Sequence, residues 1–144
     1  MTEPDPYCDL ILTGDLAVEM VLDGPHVLAF HHPSPSFEPV HLMVIPKRHV
    51  RSLAELSEQD PEVSLALMAA LSRLAGEVED AHGSARVFTN LGNLQHSRHL
   101  HWHVVVSPDR VDRHDRPRNL NEQLWMNYWR GQMRPPSAGR PHSE

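Results

Sequence analysis

The chain has 144 residues, twelve of them histidine and one cysteine, with a formal net charge of −6. That length suits one domain with a real core. A lone Cys8 excludes an intrachain disulfide framework, and the acidic balance disfavours non-specific nucleic-acid binding. No apolar run approaches the roughly 20 residues of a membrane helix. A membrane span or secretory signal is therefore not expected, and a cytoplasmic location is the default.

Residues 1–6 look irregular, and 7–12 could open a short helical or extended piece. Residues 18–22 read as a strand, Asp23-Gly24 as a hairpin turn, and 26–31 as the returning strand. The prolines in His32-Pro33-Ser34-Pro35-Ser36 end it. Residues 40–45 form a third, mostly apolar and central strand, closed by Pro46-Lys47-Arg48-His49. Ser52 with Glu55 resembles a capping box. Asp60 followed by Pro61 predicts the N-terminus of a helix with an aspartate cap. From there Val63, Leu67, Leu71, Leu74 and Val78 recur at helical spacing, widened by Leu65, Met68 and Ala75. Such a stripe packs a core and leaves room for a subunit contact, so a homodimer is expected. Gly83 supplies the stop, with His82 in the last turn.

Residues 86–90 read as a fourth strand. A loop rich in amides and hydroxyls follows, Asn90-Leu91-Gly92-Asn93-Leu94-Gln95-His96-Ser97, suited to holding an anion. Next comes His99-Leu100-His101-Trp102-His103-Val104-Val105-Val106. On a strand, alternate residues share a face, so His99, His101 and His103 line one side and Leu100, Trp102 and Val104 the other. Residues 109–118 look like a solvated charged loop and 120–129 helical. The proline-bearing tail 132–144 should be disordered. Together these elements indicate an α+β fold, a mainly antiparallel sheet with one long helix, in a single domain over 1–131.

Three readings compete for the histidine row. It is a solvent-facing polar strand, a metal site built on His-x-His, or a nucleophilic centre in which one neutral imidazole attacks and its neighbours orient it.

These residues resemble the histidine triad (HIT) superfamily, nearest its Hint branch. The motif His-φ-His-φ-His-φ-φ, with φ apolar, reads here His99-Leu100-His101-Trp102-His103-Val104-Val105. Leu28-Ala29-Phe30-His31 and His41-Leu42-Met43-Val44-Ile45-Pro46-Lys47-Arg48-His49 match two further segments in order. The resemblance implies a HIT-like fold, with a five-stranded antiparallel sheet, a long helix and a C-terminal helix, assembled as a homodimer. It implies cleavage of an α-phosphorus bond, phosphoramidate or phosphoanhydride, in a nucleoside monophosphate conjugate. His101 would attack and carry a nucleotidyl intermediate. His99 would orient it through its backbone carbonyl, and His103 and Gln95 would contact phosphate oxygens near Asn90. Tyr7, Leu10, Phe30 and His31 would fall in the base pocket. His49 matches a histidine beside the first of the triad.

Three departures stand out. His32 occupies a position where the family commonly has an acidic residue gripping the ribose. His96, then Ser97, follow Gln95 where a Ser or Thr is usual. Asp5-Pro6-Tyr7-Cys8 keeps only the second cysteine of a zinc-binding Cys-x-x-Cys. The losses at 32 and 96 keep open a nucleotide-binding scaffold without turnover, or a HIT enzyme recruited to a specialised pathway with a nucleoside-like substrate. No cofactor is expected to be required. Zinc is not favoured; if present it would use Cys8, His49 and His99, with Asp5 as a fourth ligand.

Overall fold

Five short segments rich in β-branched and aromatic residues pair into one sheet in the computed structural model, which describes residues 5–107 and 119–132. In chain order they are β1 (Met20–Asp23), β2 (Val27–His31), β3 (Val40–Pro46), β4 (Arg86–Thr89) and β5 (Trp102–Val106). Across the sheet the order is β1-β2-β3-β5-β4, every pair antiparallel. The Asp23-Gly24 turn closes as expected, with the Gly24 N–H donating to the Val27 carbonyl at 2.9 Å. Lys47 pairs with Asp23 at the same corner. β3 is central, and six of its residues, His41 to Pro46, are buried.

Period-two alternation gives the sheet two different faces. Val27, Ala29, Leu42, Val44, Leu100 and Val104 pack against the helix α1 (Pro61–His82). That helix buries Val63, Leu67, Ala70, Leu71, Leu74 and Val78, the expected stripe. Of the widening positions, Leu65 and Met68 remain 73% and 49% exposed, while Ala75 packs against this core. Gly83 ends the helix in a left-handed conformation, φ +84°, its N–H donating to the Glu79 carbonyl at 2.7 Å. On the opposite face Leu28, Phe30, Met43 and Ile45 form a smaller cluster with Ile11. Ile11 belongs to a single π-helical turn, Tyr7–Ile11.

Two local expectations are corrected. The Asp60 side chain makes no cap bond: its carboxylate lies 3.7 Å from Arg48, and only its backbone carbonyl receives Val63 N–H. Ser52 accepts from Ala54 N–H, but Glu55 reaches back to Arg51 N–H, one residue beyond the capping-box position. The triad segment also enters the sheet late. β5 begins at Trp102, while Leu100 N–H donates to the Val50 carbonyl at 2.6 Å, which draws 99–101 away from the ladder.

The chain divides into two units, residues 1–109 and 110–144. The second contributes α2 (Leu120–Gln132), three residues longer than the expected 120–129, with Leu120, Leu124, Trp125 and Tyr128 exposed. The side chain of Trp129, the charged stretch 109–118 and residues 133–144 of the expected disordered tail lie outside the described residues; residue 132 is the last of α2.

Candidate active site

The face that carries Phe30 and Met43 also carries His41 and His103, because β3 and β5 pair with Met43 opposite His103 and His41 opposite Val105. His101 continues the row beyond the end of β5, its ring centroid 5.3 Å from that of His103. Both His99 and His101 are buried, and His103 is half-buried. So the three histidines do share a face, but that face is a floor of the protein and not a solvent edge.

Hydrogen bonds fix what each ring can do. A carbonyl only accepts, so the His101 Nδ1–H donates to the His99 carbonyl, 2.7 Å away. The lone pair of the neutral ring is then on Nε2. Thr89 Oγ1–H holds the His101 carbonyl at 2.8 Å. Burial lowers the His101 pKa below its ordinary value, the bond to the His99 carbonyl partly offsets this, and His99, His96 and His32 lower it further. Near neutrality His101 is therefore a neutral imidazole with one nitrogen pinned and the other without a hydrogen-bond partner among the described residues.

A second chain of bonds reaches His103. The Ser36 backbone N–H, which can only donate, meets His41 Nδ1 at 3.0 Å. His41 then carries its proton on Nε2 and donates to His103 Nδ1 at 2.9 Å. His103 is left with Nε2–H, a buried donor without a protein partner among the described residues. Burial pushes both His41 and His103 down to about 4, helped by His32 at His41 and by His101, His41, His32 and His96 at His103. Among the described residues, buried side-chain atoms lacking a partner are Gln95 Oε1, Ser97 Oγ, Trp102 Nε1 and His103 Nε2. Three of these belong to the polar loop and the triad. Buried polar groups are ordinarily paired, so such a concentration marks a ligand-binding surface.

The remaining expected residues divide. Tyr7 lies over the row, 5.2 Å from His101, 5.4 Å from His99 and 6.3 Å from Phe30 by ring centroid. Burial and the nearby Asp5 push its hydroxyl up to about 12. Leu10 lies on the exposed side of the same turn. Asn90 is half-buried just after β4, and Gln95 Nε2 donates to the Arg51 carbonyl at 3.0 Å. His96 is exposed. His32 stacks on His41, centroids 4.4 Å apart. Its Nδ1 already accepts Ser34 N–H at 2.9 Å, so the one acceptor of a neutral imidazole is taken. His31 is not beside Phe30: alternation turns it to the other face. There it borders an apolar hollow with Leu42, Leu74 and Val78 and lies 4.0 Å from Glu19.

Sequence reasoning missed His41 as a site residue, along with Phe37 and Phe88. Phe88 stacks on His103 at 4.5 Å, and Phe37 meets both His41 and Phe88 edge-on. The available signal was a histidine opening an otherwise apolar strand, in phase with Met43 and Ile45.

Asp5, Cys8, His49 and His99 bring four potential ligand atoms within 4.8 Å of one another. Asp5 Oδ2 lies 2.6 Å from His49 Nδ1 and 2.9 Å from His99 Nδ1, and Cys8 Sγ 3.4 Å from His99 Nδ1. His99 Nε2 donates to the Pro46 carbonyl at 2.9 Å. A carboxylate only accepts, so a second proton on His99 or a metal ion must stand between Nδ1 and Asp5. Burial would raise the Asp5 carboxyl, but hydrogen bonds with His99 and Cys8 outweigh it and hold it well below the usual range. Burial, then Asp5 and Asp9, push the Cys8 thiol up to about 12. An O, S, N, N donor set with a carbonyl behind one imidazole fits a zinc-type ion. Asp5 stands three residues before Cys8, and its carboxylate completes the cluster.

Comparison with known proteins agrees with this fold. A family model described as "HIT domain" matches residues 14–109. Solved structures with the same fold include a HIT family hydrolase from Clostridium thermocellum. It is 25% identical, with 78% of this chain and 98% of that chain covered at a TM-score of 0.65. A histidine triad protein from Clostridium difficile is 25% identical, with 75% and 94% covered at 0.62. A hypothetical histidine triad nucleotide-binding protein from Sulfolobus tokodaii, 21% identical with 86% and 87% covered at 0.61, shares the fold.

Proposed function

The chain belongs to the HIT domain family, and from that premise and the site geometry we propose a nucleotide-binding hydrolase or transferase that cleaves an α-phosphorus bond through His101. The observation that carries this reading is the 2.7 Å bond from His101 Nδ1 to the His99 carbonyl, which leaves Nε2 as a fixed lone pair. In the proposed reaction Nε2 forms a bond to the α-phosphorus as the leaving group departs with its electron pair and takes up a proton. Water then attacks the nucleotidyl-histidine, releasing the nucleoside monophosphate and restoring His101. The His103 Nε2–H donates to a non-bridging oxygen, where negative charge grows. Tyr7, half-buried beside the His101 ring and backed by the buried Phe30, offers an aromatic surface for the base. A phosphoramidate or phosphoanhydride of a nucleoside monophosphate meets these requirements. The Clostridium thermocellum relative is described as a hydrolase, which supports the enzymatic reading.

This chemistry requires no metal. An ion held by Asp5, Cys8, His49 and His99 would act as a structural Lewis acid that fixes the His99 ring, and the His99 carbonyl in turn sets His101. The exposed Leu65 and Met68 on α1 support assembly as a homodimer. Sedimentation at micromolar concentration should then give twice the chain mass, and a strict monomer would remove that part.

The test of function is a panel of nucleoside 5′-phosphoramidates and dinucleoside polyphosphates with wild type and His101→Ala. Wild type should release mononucleotide, and the folded variant should lose at least about 10³-fold. Tight nucleotide binding without release would instead select the scaffold reading.

A further inference from the structure

We propose that His32 is a positioning residue for the third triad histidine: stacked on His41, it holds that ring dry and hydrogen-bonded to His103, so that His103 presents Nε2–H and no other tautomer to the substrate. The inference rests on the reading of His103 as a phosphate-oxygen donor, but its structural half stands apart from catalysis.

His32 leaves β2 with its N–H donating to the His41 carbonyl at 2.9 Å, which extends the β2–β3 ladder by one step. That step puts the two side chains on one face. Their rings lie 4.4 Å apart and 24° from parallel, the geometry of a stack. The loop that follows supplies a backbone N–H to each ring. Ser34 N–H caps His32 Nδ1 at 2.9 Å, and Ser36 N–H caps His41 Nδ1 at 3.0 Å. Both rings are thereby the Nε2–H tautomer, and neither can turn over without losing a bond. From the other side His41 meets His103 at 2.9 Å and the edge of Phe37 at 5.2 Å. Beyond these, the Arg86 guanidinium lies 5.4 Å from the Phe37 ring and 5.5 Å from the Phe88 ring.

The groups that bear on His41 from each neighbouring element are therefore His32, His103, Phe37 and the more distant Arg86. None is an anion that would favour a charged His41. Only 5% of His41 is exposed, and the His32 ring covers one of its faces. Water admitted there would let His41 take up a proton on Nδ1. Ser36 N–H would then lose its acceptor. A charged ring would also stand next to His103, and the donor chain would no longer be set from the backbone. A residue at 32 with a flat ring but no titratable nitrogen should do the same work. A small residue should not.

The experiment is two-bond ¹⁵N–¹H correlation of the histidine side chains in labelled full-length protein, from about pH 5 to pH 8. The variants are His32→Ala and His32→Phe. In wild type His41 and His103 should both show protonated Nε2 and bare Nδ1 across that range. In His32→Ala the His41 midpoint should rise by about one pH unit or more as the ring is hydrated, while His32→Phe should keep the wild-type pattern. The acid limb of kcat/KM should follow the same order, moving up in His32→Ala and returning in His32→Phe. An unchanged His41 in His32→Ala, or a His32→Phe variant that behaves like Ala, overturns the proposal. If the resonances move as expected but no variant or wild type turns over phosphoramidate, the positioning stands and the catalytic reading fails.

Discussion

Two clusters of histidine lie at opposite ends of one triad and use the same ring in opposite ways. At one end His41, His103 and His101 touch no carboxylate among the described residues. Burial keeps all three below the ordinary histidine pKa, and each has one nitrogen bound to a backbone group or to the next ring. At the other end His99 and His49 face the buried carboxylate of Asp5 and the thiol of Cys8. The first arrangement makes neutral rings with a defined lone pair and a defined N–H, which suits attack and donation. The second makes a charge-balanced knot, which suits structure. His99 belongs to both, through its side chain to the knot and through its carbonyl to the nucleophile. What a histidine does here is decided by what occupies its second nitrogen.

The comparison breaks most sharply at Asp5. Asp5→Asn keeps the shape but removes the charge on which both imidazoles converge, and uncoupling a buried charged group costs roughly 3–5 kcal/mol. Chemical denaturation should show a loss of at least about 2 kcal/mol, the figure being discounted for the half-exposed His49 partner. If the cluster holds zinc, elemental analysis of the purified protein should give about one equivalent per chain, falling in the variant. A variant as stable as wild type would show that the knot does no structural work.

Acid should separate the two ends next. His41 binds protons less readily when folded than when unfolded. Between its ordinary value of 6.5 and about 4 the unfolded state therefore holds more protons, and stability falls as pH falls. At about 1.4 kcal/mol per pKa unit, His41 alone would cost on the order of 3 kcal/mol by pH 4. Asp5 acts in the same direction, but only below the ordinary carboxylate range, because its pKa is also lowered. Unfolding free energy should thus decline in two stages, the first reduced but not abolished in a His41→Phe variant, because His103 and His101 are also held below their ordinary values. A flat profile between pH 4 and pH 6.5 would contradict the neutral, dry row.

Much of this is legible in the sequence, and the parts that are not share a cause. The expected alternation leaves Leu100, Trp102 and Val104 in the helix-facing core, although only the part from Trp102 onward is strand and His99 and His101 sit just before it. Helical periodicity correctly places the buried side of α1, from Val63 to Val78. The same alternation separates His31 from Phe30, so the two do not share the one pocket that the family resemblance implies for them. The bond from His41 to His103 depends on register between strands 62 residues apart, and the Asp5 cluster, whose four members only the family resemblance names together, on a contact between residues 94 apart. Neither distance is encoded in local pattern. The Asp60 cap fails for a smaller reason: its carboxylate turns toward Arg48.

The smallest expected effect tests that separation of faces. His31→Ala should change nucleotide affinity by less than about 0.5 kcal/mol, since His31 borders the hollow beside α1. A drop of tenfold or more, measured by calorimetry, would return His31 to the nucleotide side.

The central claim is that His101 Nε2 forms a covalent bond to phosphorus, and rapid-quench mass spectrometry with a nucleoside 5′-phosphoramidate reads it directly. The account predicts a transient increase equal to one nucleotidyl group, mapped by fragmentation to His101 and missing in His101→Ala. Mononucleotide release with no adduct at any quench time, or an adduct that persists in His101→Ala, would contradict it.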